Sequence, residues 1–161
     1  MIFRFLGLLL ILIASVYLSE LYSDSIKNAI LLQDGMLSLL REISRSLCTY
    51  RVPLHEIYEG FKNDSLKEIG FLCDLQSLPI REVFLKRRKS FRYQGSDERM
   101  LLSYFQKLGT LPLSEEIVSC RMIIEVLQTT LDQKKEAYPK ERKINLVLGI
   151  TVGVSLVIVF I

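Results

Sequence analysis

Two uncharged, apolar runs lie near the ends of the chain, and a charged region separates them. The second run extends from Ile144 to Ile161. As a helix it would be about 27 Å long at 1.5 Å per residue, close to the hydrocarbon thickness of a bilayer. A buried core helix is the alternative, but core helices usually keep a polar face, and this run has none. The pattern predicts a transmembrane helix over residues 144–161.

The first run extends from Phe5 to Ser19, after one early cation, Arg4. A secretory signal peptide has a similar design, so it is the alternative here. Its cleavage site needs small residues at alternate positions, which the sequence around Ala14 to Tyr17 does not supply. We therefore predict an uncleaved transmembrane helix over residues 1–19.

Residues 20–143 show helical periodicity, with no serious strand-like alternation. Apolar residues spaced by three and four predict a long helix from about Leu21 to Tyr50. Pro53 ends it, because proline is tolerated only in the first turn of a helix. This helix is expected to continue from the first apolar run.

Turn and capping residues mark the later helices. Ser65 with Glu68 matches a capping box, and Pro79 opens another helical segment. Gly109 fits the position just past a helix C-terminus. Ser114 is predicted to cap the last helix, which runs on toward the second apolar segment.

The fold class that these patterns predict is all-α. It is an antiparallel helical bundle, residues 20–143, between an N-terminal and a C-terminal transmembrane helix. Its predicted core consists of apolar residues on the inward faces of the long helices: Leu37, Leu40, Leu47, Leu102, Phe105, Ile124, Leu127 and Leu131.

Charge places the bundle in the cytoplasm. All 18 acidic residues and all basic residues except Arg4 lie within 20–143, and their balance is too mild to indicate nucleic-acid binding. Five cations precede the second span and no charge follows it, which predicts a cytoplasmic bundle by the positive-inside rule. Those cations are Lys134, Lys135, Lys140, Arg142 and Lys143. Three widely spaced cysteines also suit a reducing compartment.

Candidate chemistry is sparse. His55 is the single histidine, and the cysteines are too far apart in sequence to supply the remaining ligands of a zinc site. No glycine-rich phosphate loop and no nucleophile elbow occur in the sequence. We predict a protein that is not an enzyme and that binds no cofactor, metal ion or small-molecule substrate.

A cluster of five cations is the first candidate interaction site. It consists of Lys86, Arg87, Arg88, Lys89 and Arg92. One interpretation is a solvated helix end, where cations complement the helix dipole. The other is a contact with anionic lipid headgroups or with an acidic protein partner.

Two glycines in the second apolar run are the second candidate site. Gly149 and Gly153 are four residues apart, a spacing that lets two membrane helices approach closely. The first apolar run is a candidate partner, because its Gly7, Ala14 and Ser15 are also small.

The order of these segments resembles the stage III sporulation protein AB family over essentially the whole chain. The residues that carry the resemblance are Pro53-Leu54-x-Glu56, Leu108-Gly109 and Leu148-Gly149-x-x-x-Gly153. The family tends to place Asp three residues after the Leu-Gly glycine and Gln four residues further on. Here those positions hold Pro112 and Glu116, so contacts made by that polar pair are in doubt.

The resemblance implies a function that the residues alone do not indicate. Proteins of this family are similar to the F platform protein of type II secretion and type IV pilus machines. The resemblance therefore implies that the chain is a non-enzymatic platform subunit in the mother-cell membrane around the forespore. There it would belong to a secretion-like complex required for endospore formation. The implied partners are a cytoplasmic ATPase, stage III sporulation protein AA, the other membrane proteins of the operon and the lipid bilayer. Self-association is left open.

Two other classes of function remain as alternatives. One is a general helical membrane scaffold or anchor unrelated to sporulation or transport. The other is an enzyme or a channel, and the absence of charges in both apolar runs disfavours a channel.

Overall fold

The computed structural model describes residues 2–49 and 53–160, and every regular element in these ranges is a helix. The helices are α1 (Ile2–Thr49), α2 (Leu54–Gly60), α3 (Asp64–Glu68), α4 (Phe71–Asp74), α5 (Ile80–Phe91), α6 (Gly95–Lys107) and α7 (Leu113–Phe160). The all-α prediction is confirmed. The predicted helix end at Tyr50 and the outer ends of the predicted spans, Met1 and Ile161, lie outside the described residues.

The chain divides into two compact units. The terminal unit consists of Met1–Asn28 and Lys134–Ile161, and the central unit of Ala29–Gln133. Both long helices contribute to both units, as expected for helices that continue from the bundle into the apolar runs. The boundaries predicted at residues 19 and 143 stay predictions.

Over the residues that the structure describes, no helix combines the length and the apolar character needed to cross a membrane.

The central unit is organised around α1. Four of its side chains (Met36, Leu39, Leu40 and Ile43) are completely buried. Buried positions occur on nearly all sides of the helix between residues 29 and 47. Gly35 permits close contact on one side, because a Cβ there would lie 2.8 Å from Asn63 Oδ1. This part of α1 is the central helix of the bundle.

An aromatic cluster fills the space between the short helices and α5. Phe71, Phe84 and Phe91 are fully buried, with the ring of Phe91 5.6 Å from each of the other two. Phe105 of α6 lies 5.5 Å from Phe84 in an edge-to-face arrangement. Aromatic pairs at such distances stabilise a core beyond the burial of their area alone. The sequence analysis did not assign these three phenylalanines of α4 and α5 to the core.

The predicted core is largely confirmed, with an error of one residue in two helices. Six of its members are buried: Leu37, Leu40, Leu47, Phe105, Leu127 and Leu131. Leu102 and Ile124 are only half-buried, and the adjacent Leu101 and Ile123 occupy the interior instead. A step of one residue turns an α-helix by about 100°, so paired apolar residues leave the inward-facing member ambiguous.

Two predicted helix boundaries are confirmed and two are wrong. Pro79 opens α5, and Gly109 follows α6 with a left-handed φ of 81°. Asn63, not Ser65, caps α3, because its side chain accepts a hydrogen bond from Leu66 N. Ser114 lies inside the first turn of α7, because the helix already begins at Leu113.

Candidate interaction surfaces

Four members of the cation cluster are consecutive residues of α5, and Arg92 follows the helix with a left-handed φ of 49°. Consecutive helical residues differ in direction by about 100°, so Lys86, Arg87, Arg88 and Lys89 project to different sides of α5. The cluster that is dense in the sequence is therefore divided among several neighbours in the structure.

Two of the cations are bound to Asp74 at the end of α4. Lys86 Nζ lies 3.0 Å from Asp74 Oδ1, and Arg87 donates from Nε and Nη2 to Asp74 Oδ2 at 3.1 and 2.9 Å. Hydrogen bonds from Lys86 and then Arg87 lower the pKa of this carboxylate below its ordinary value. The Arg87 guanidinium also lies against Gly70, where a Cβ would be 3.1 Å from Nη2. Arg87 thus stabilises the connection between α4 and α5.

The remaining cations face outward. Arg88 Nη1 lies 3.5 Å from Glu98 Oε1 of α6, although its side chain stays 52% exposed. Lys89 is exposed, as is Arg92. Arg88 and Lys89 are consequently the members best placed to meet a partner, and partner binding by the cluster stays a prediction.

Gly149, the first glycine of the pair in α7, contacts α1 within the terminal unit. Ser15 Oγ donates to the carbonyl oxygen of Gly149 at 2.5 Å. A Cβ at Gly149 would lie 2.9 Å from Ser19 Cβ, closer than two carbon atoms can approach. Gly153 is buried. Of the small residues predicted as partners, Ser15 makes this contact, and Ser19 is a further partner that the sequence analysis did not identify.

A polar cluster, also not predicted, lies inside the central unit near the α6–α7 connection. Glu116 is 4% exposed, and its Oε1 accepts a hydrogen bond from Gly109 N at 2.6 Å. Burial raises the pKa of Tyr58, and the charge of Glu116 adds to that effect. Burial likewise raises the pKa of Tyr104. The buried Glu116 carboxylate thus stabilises the connection between α6 and α7.

A groove of about 290 Å³ lies between α6 and α7. Met100, Met122 and Val126 contribute to its apolar lining, and Lys107 lies at its edge. Met122 is 62% exposed despite its apolar side chain.

Comparison with known proteins identifies the family. The family model for stage III sporulation protein AB matches residues 4–161. The chain belongs to the stage III sporulation protein AB family. Membership gives it a role in stage III of sporulation, and the family is one of sporulation proteins and not a known enzyme family. Neither the curated proteins nor the solved structures contain a match to the chain.

In this member of the stage III sporulation protein AB family, Pro112 and Glu116 both act in the α6–α7 connection. The carbonyl oxygen of Pro112 accepts hydrogen bonds from Glu115 N and Glu116 N, at 2.9 and 3.0 Å, and so begins α7. The Glu116 side chain reaches back to Gly109. Pro112 and Glu116 therefore both make defined contacts here.

The described residues contain no group of three or more His, Cys, Asp or Glu side chains that could hold a metal ion. His55 is exposed on α2.

Proposed function

We propose that this chain is a non-enzymatic membrane platform subunit of a secretion-like complex between mother cell and forespore. In this proposal the ends of the chain span the mother-cell membrane around the forespore. Residues 20–143 lie in the cytoplasm and couple the ATPase, stage III sporulation protein AA, to the other membrane proteins of the operon. Family membership supports the sporulation role, and the terminal unit supports the membrane role.

The observation that carries the membrane role is the distribution of side chains in the terminal unit. Small residues form its interior contact, where Gly149 meets Ser15 and Ser19. Large apolar residues face outward, among them Leu18 and Ile158, which are 66% and 68% exposed. A water-soluble pair of helices buries its large apolar residues, whereas in lipid, close packing of small residues drives association. This arrangement favours a lipid surrounding.

The cytoplasmic location of the central unit rests on the cations before the second apolar run, and native thiols can test it. Cys73 is exposed in the central unit. In a Cys48→Ser background, a membrane-impermeant maleimide should label Cys73 only after the membrane is permeabilised. When the chain is expressed in the outer cytoplasmic membrane of vegetative cells, whose external face the reagent reaches, a cysteine added after Ile161 should be labelled in intact cells. Labelling of Cys73 in intact cells, with none at the added cysteine, would reverse the proposed topology.

ATPase coupling is the second part of the proposal, and the exposed cations of α5 are its candidate contacts. Arg88→Glu combined with Lys89→Glu changes two outward-facing charges without removing the Arg87–Asp74 pair. Charges at the rim of an interface act mainly on association rate and salt dependence. The double variant should bind purified stage III sporulation protein AA several-fold more slowly at low salt, and the difference should shrink at high salt.

The matched control is Lys62→Glu with Lys67→Glu, the same charge change at two exposed residues outside α5. This control should associate at the wild-type rate, apart from any slowing that the change in net charge itself causes. Equal slowing by both double variants would show that net charge alone causes the effect. It would refute the role assigned to the exposed cations of α5. No binding by the wild-type chain would refute ATPase coupling itself.

A further inference from the structure

The outward face of α7 in the central unit carries a continuous apolar stripe. Val118, Met122 and Val126 recur at intervals of four residues and are 58%, 62% and 46% exposed. Met122 and Val126 line the groove between α6 and α7, to which Met100 and Leu111 also contribute apolar surface. Contiguous exposed apolar surface of this kind on a folded domain marks an interaction site.

The α6 side of this stripe is basic. Arg99 and Lys107 are both exposed, and they lie about 40° on either side of Ser103, which lines the groove. The acidic residues of α6, Asp97 and Glu98, are on the other side of the helix, where Asp97 is buried and Glu98 meets Arg88. The α6 side of the face therefore presents cations alone.

The α7 side is acidic. Glu115 and Glu125 are exposed and lie within about 60° of Met122 around the helix axis, whereas the exposed Arg121 lies about 100° from Met122, at the edge of this face. The short connection 108–112 makes α6 and α7 antiparallel neighbours, so Lys107 and Glu115 both lie near that connection. Arg99 lies about 12 Å from Lys107 along α6, and Glu125 about 15 Å from Glu115 along α7. Cations of α6 and carboxylates of α7 thus occur at similar heights along the same face.

This charge pattern is complementary to itself. A two-fold axis parallel to the two helices places α6 of one protomer opposite α7 of its partner. Lys107 of each protomer then faces Glu115 of the other, and Arg99 faces Glu125. A two-fold axis perpendicular to the helices would instead bring the cations of both protomers together, which is unfavourable. An isologous interface requires a surface that complements itself about one axis, and this face meets that requirement.

We propose that the occupant of this face is a second copy of the same chain. The α6–α7 face, defined by Arg99, Lys107, Glu115, Val118, Met122 and Glu125, forms a two-fold dimer with the apolar stripe at its centre and the charge pairs at its rim. The inference is separate from ATPase coupling, because Arg88 and Lys89 belong to α5.

The test uses the full-length protein in detergent micelles, with dimerisation measured by analytical ultracentrifugation. Wild type should form a dimer, and Met122→Asp should weaken it at least tenfold, because a carboxylate would be buried at the centre of the stripe. Lys107→Glu and Glu115→Lys should each weaken it several-fold. The double variant should return to within about threefold of wild type, because the same charges are exchanged across the axis.

Lys89→Glu is the control, since it changes one exposed cation outside this face and should leave the dimer constant unchanged. Circular dichroism spectra should be alike for all variants, because the substituted side chains are exposed, and melting temperatures should agree at concentrations where the wild type is monomeric. A monomeric wild type, or a dimer insensitive to Met122→Asp, would overturn the proposal and leave the face to a different partner. Failure of the double variant to recover would overturn the assigned axis.

Discussion

The carboxylate of Glu116 accepts a hydrogen bond from the backbone N–H of Gly109 at 2.6 Å, across the turn that joins α6 to α7. Gly109 has a φ of 81°, a value that glycine adopts without strain, so this residue suits the turn. The contact joins the end of one helix to the start of the next. It fixes the geometry from which α7 begins.

Replacing Glu116 should destabilise the protein, because the N–H of Gly109 depends on its carboxylate as acceptor. Glu116→Ala leaves the Gly109 N–H without its acceptor, which should lower the free energy of unfolding by about 1–3 kcal/mol. Glu116→Gln keeps an amide oxygen as acceptor and should lose less than Glu116→Ala. Thermal unfolding of the full chain in micelles, followed by circular dichroism, measures both. Equal losses for the two variants would show that the charge matters and the acceptor does not.

Leu127 tests the core of the central unit. The residue is 4% exposed, so Leu127→Ala should cost about 2–5 kcal/mol through lost burial and a residual cavity. Leu85→Ala makes the same chemical change at a side chain that is 38% exposed. It should cost less than about 1 kcal/mol. The same unfolding measurement compares them, and similar losses at both positions would contradict the burial of Leu127.

Gly149 tests the contact between α1 and α7 in the terminal unit. A larger residue must displace Ser19 or the Ser15 backbone, so Gly149→Leu should separate the helices and reduce the yield of heat-resistant spores in a complementation assay. Gly7→Leu is the control, because a Cβ at Gly7 meets nothing within 4 Å. Gly149→Ala should be milder and should recover when Ser19→Gly is added, since the second change removes the opposing Cβ. Normal spore yield with Gly149→Leu would refute the importance of the contact.

The ion pairs of Asp74 with Lys86 and Arg87 should make the stability of the protein depend on pH. Because Lys86 and Arg87 lower its pKa in the folded protein, the carboxylate binds protons more weakly there than in the unfolded chain. Its stabilising contribution is therefore present above the unfolded pKa, about 4, and is lost as the pH falls through the folded pKa. Wild type should exceed Asp74→Asn in melting temperature at neutral pH, and the gap should close in acid.

The control for this comparison is Glu68→Gln, at an exposed carboxylate of α3. Its difference from wild type should vary less with pH than that of Asp74→Asn. A gap between wild type and Asp74→Asn that stays constant from neutral to acid pH would show that the ion pairs do not stabilise the fold.

The helices themselves could be predicted from the sequence because local rules determine them. Apolar periodicity marked α1 and α7, and the positions of Pro79 and Gly109 correctly marked one helix start and one helix end. The exact inward face was less certain where two apolar residues are adjacent, as at Leu101 and Leu102. Only the packing of neighbouring helices selects between such residues.

The contacts between distant residues could not be predicted in this way. The cations of α5 form one cluster in the sequence, but Asp74 and Glu98 divide them, and both partners are ten or more residues away. Glu116 reads as an ordinary acidic residue in the first turn of a helix, where the dipole favours it. Its burial follows from the return of the chain at Gly109, which periodicity does not reveal.

Because Cys120 is buried, the chemical modification of its thiol can report how often the central unit opens. The thiol is fully buried, its Sγ donates to the Leu40 carbonyl oxygen, and burial raises its pKa, so little reactive thiolate exists in the closed molecule. In a chain that lacks Cys48 and Cys73, modification of Cys120 must wait until α7 separates from α1. The rate of that modification then measures how often the central unit opens, and a partner that clamps the two helices together would slow it.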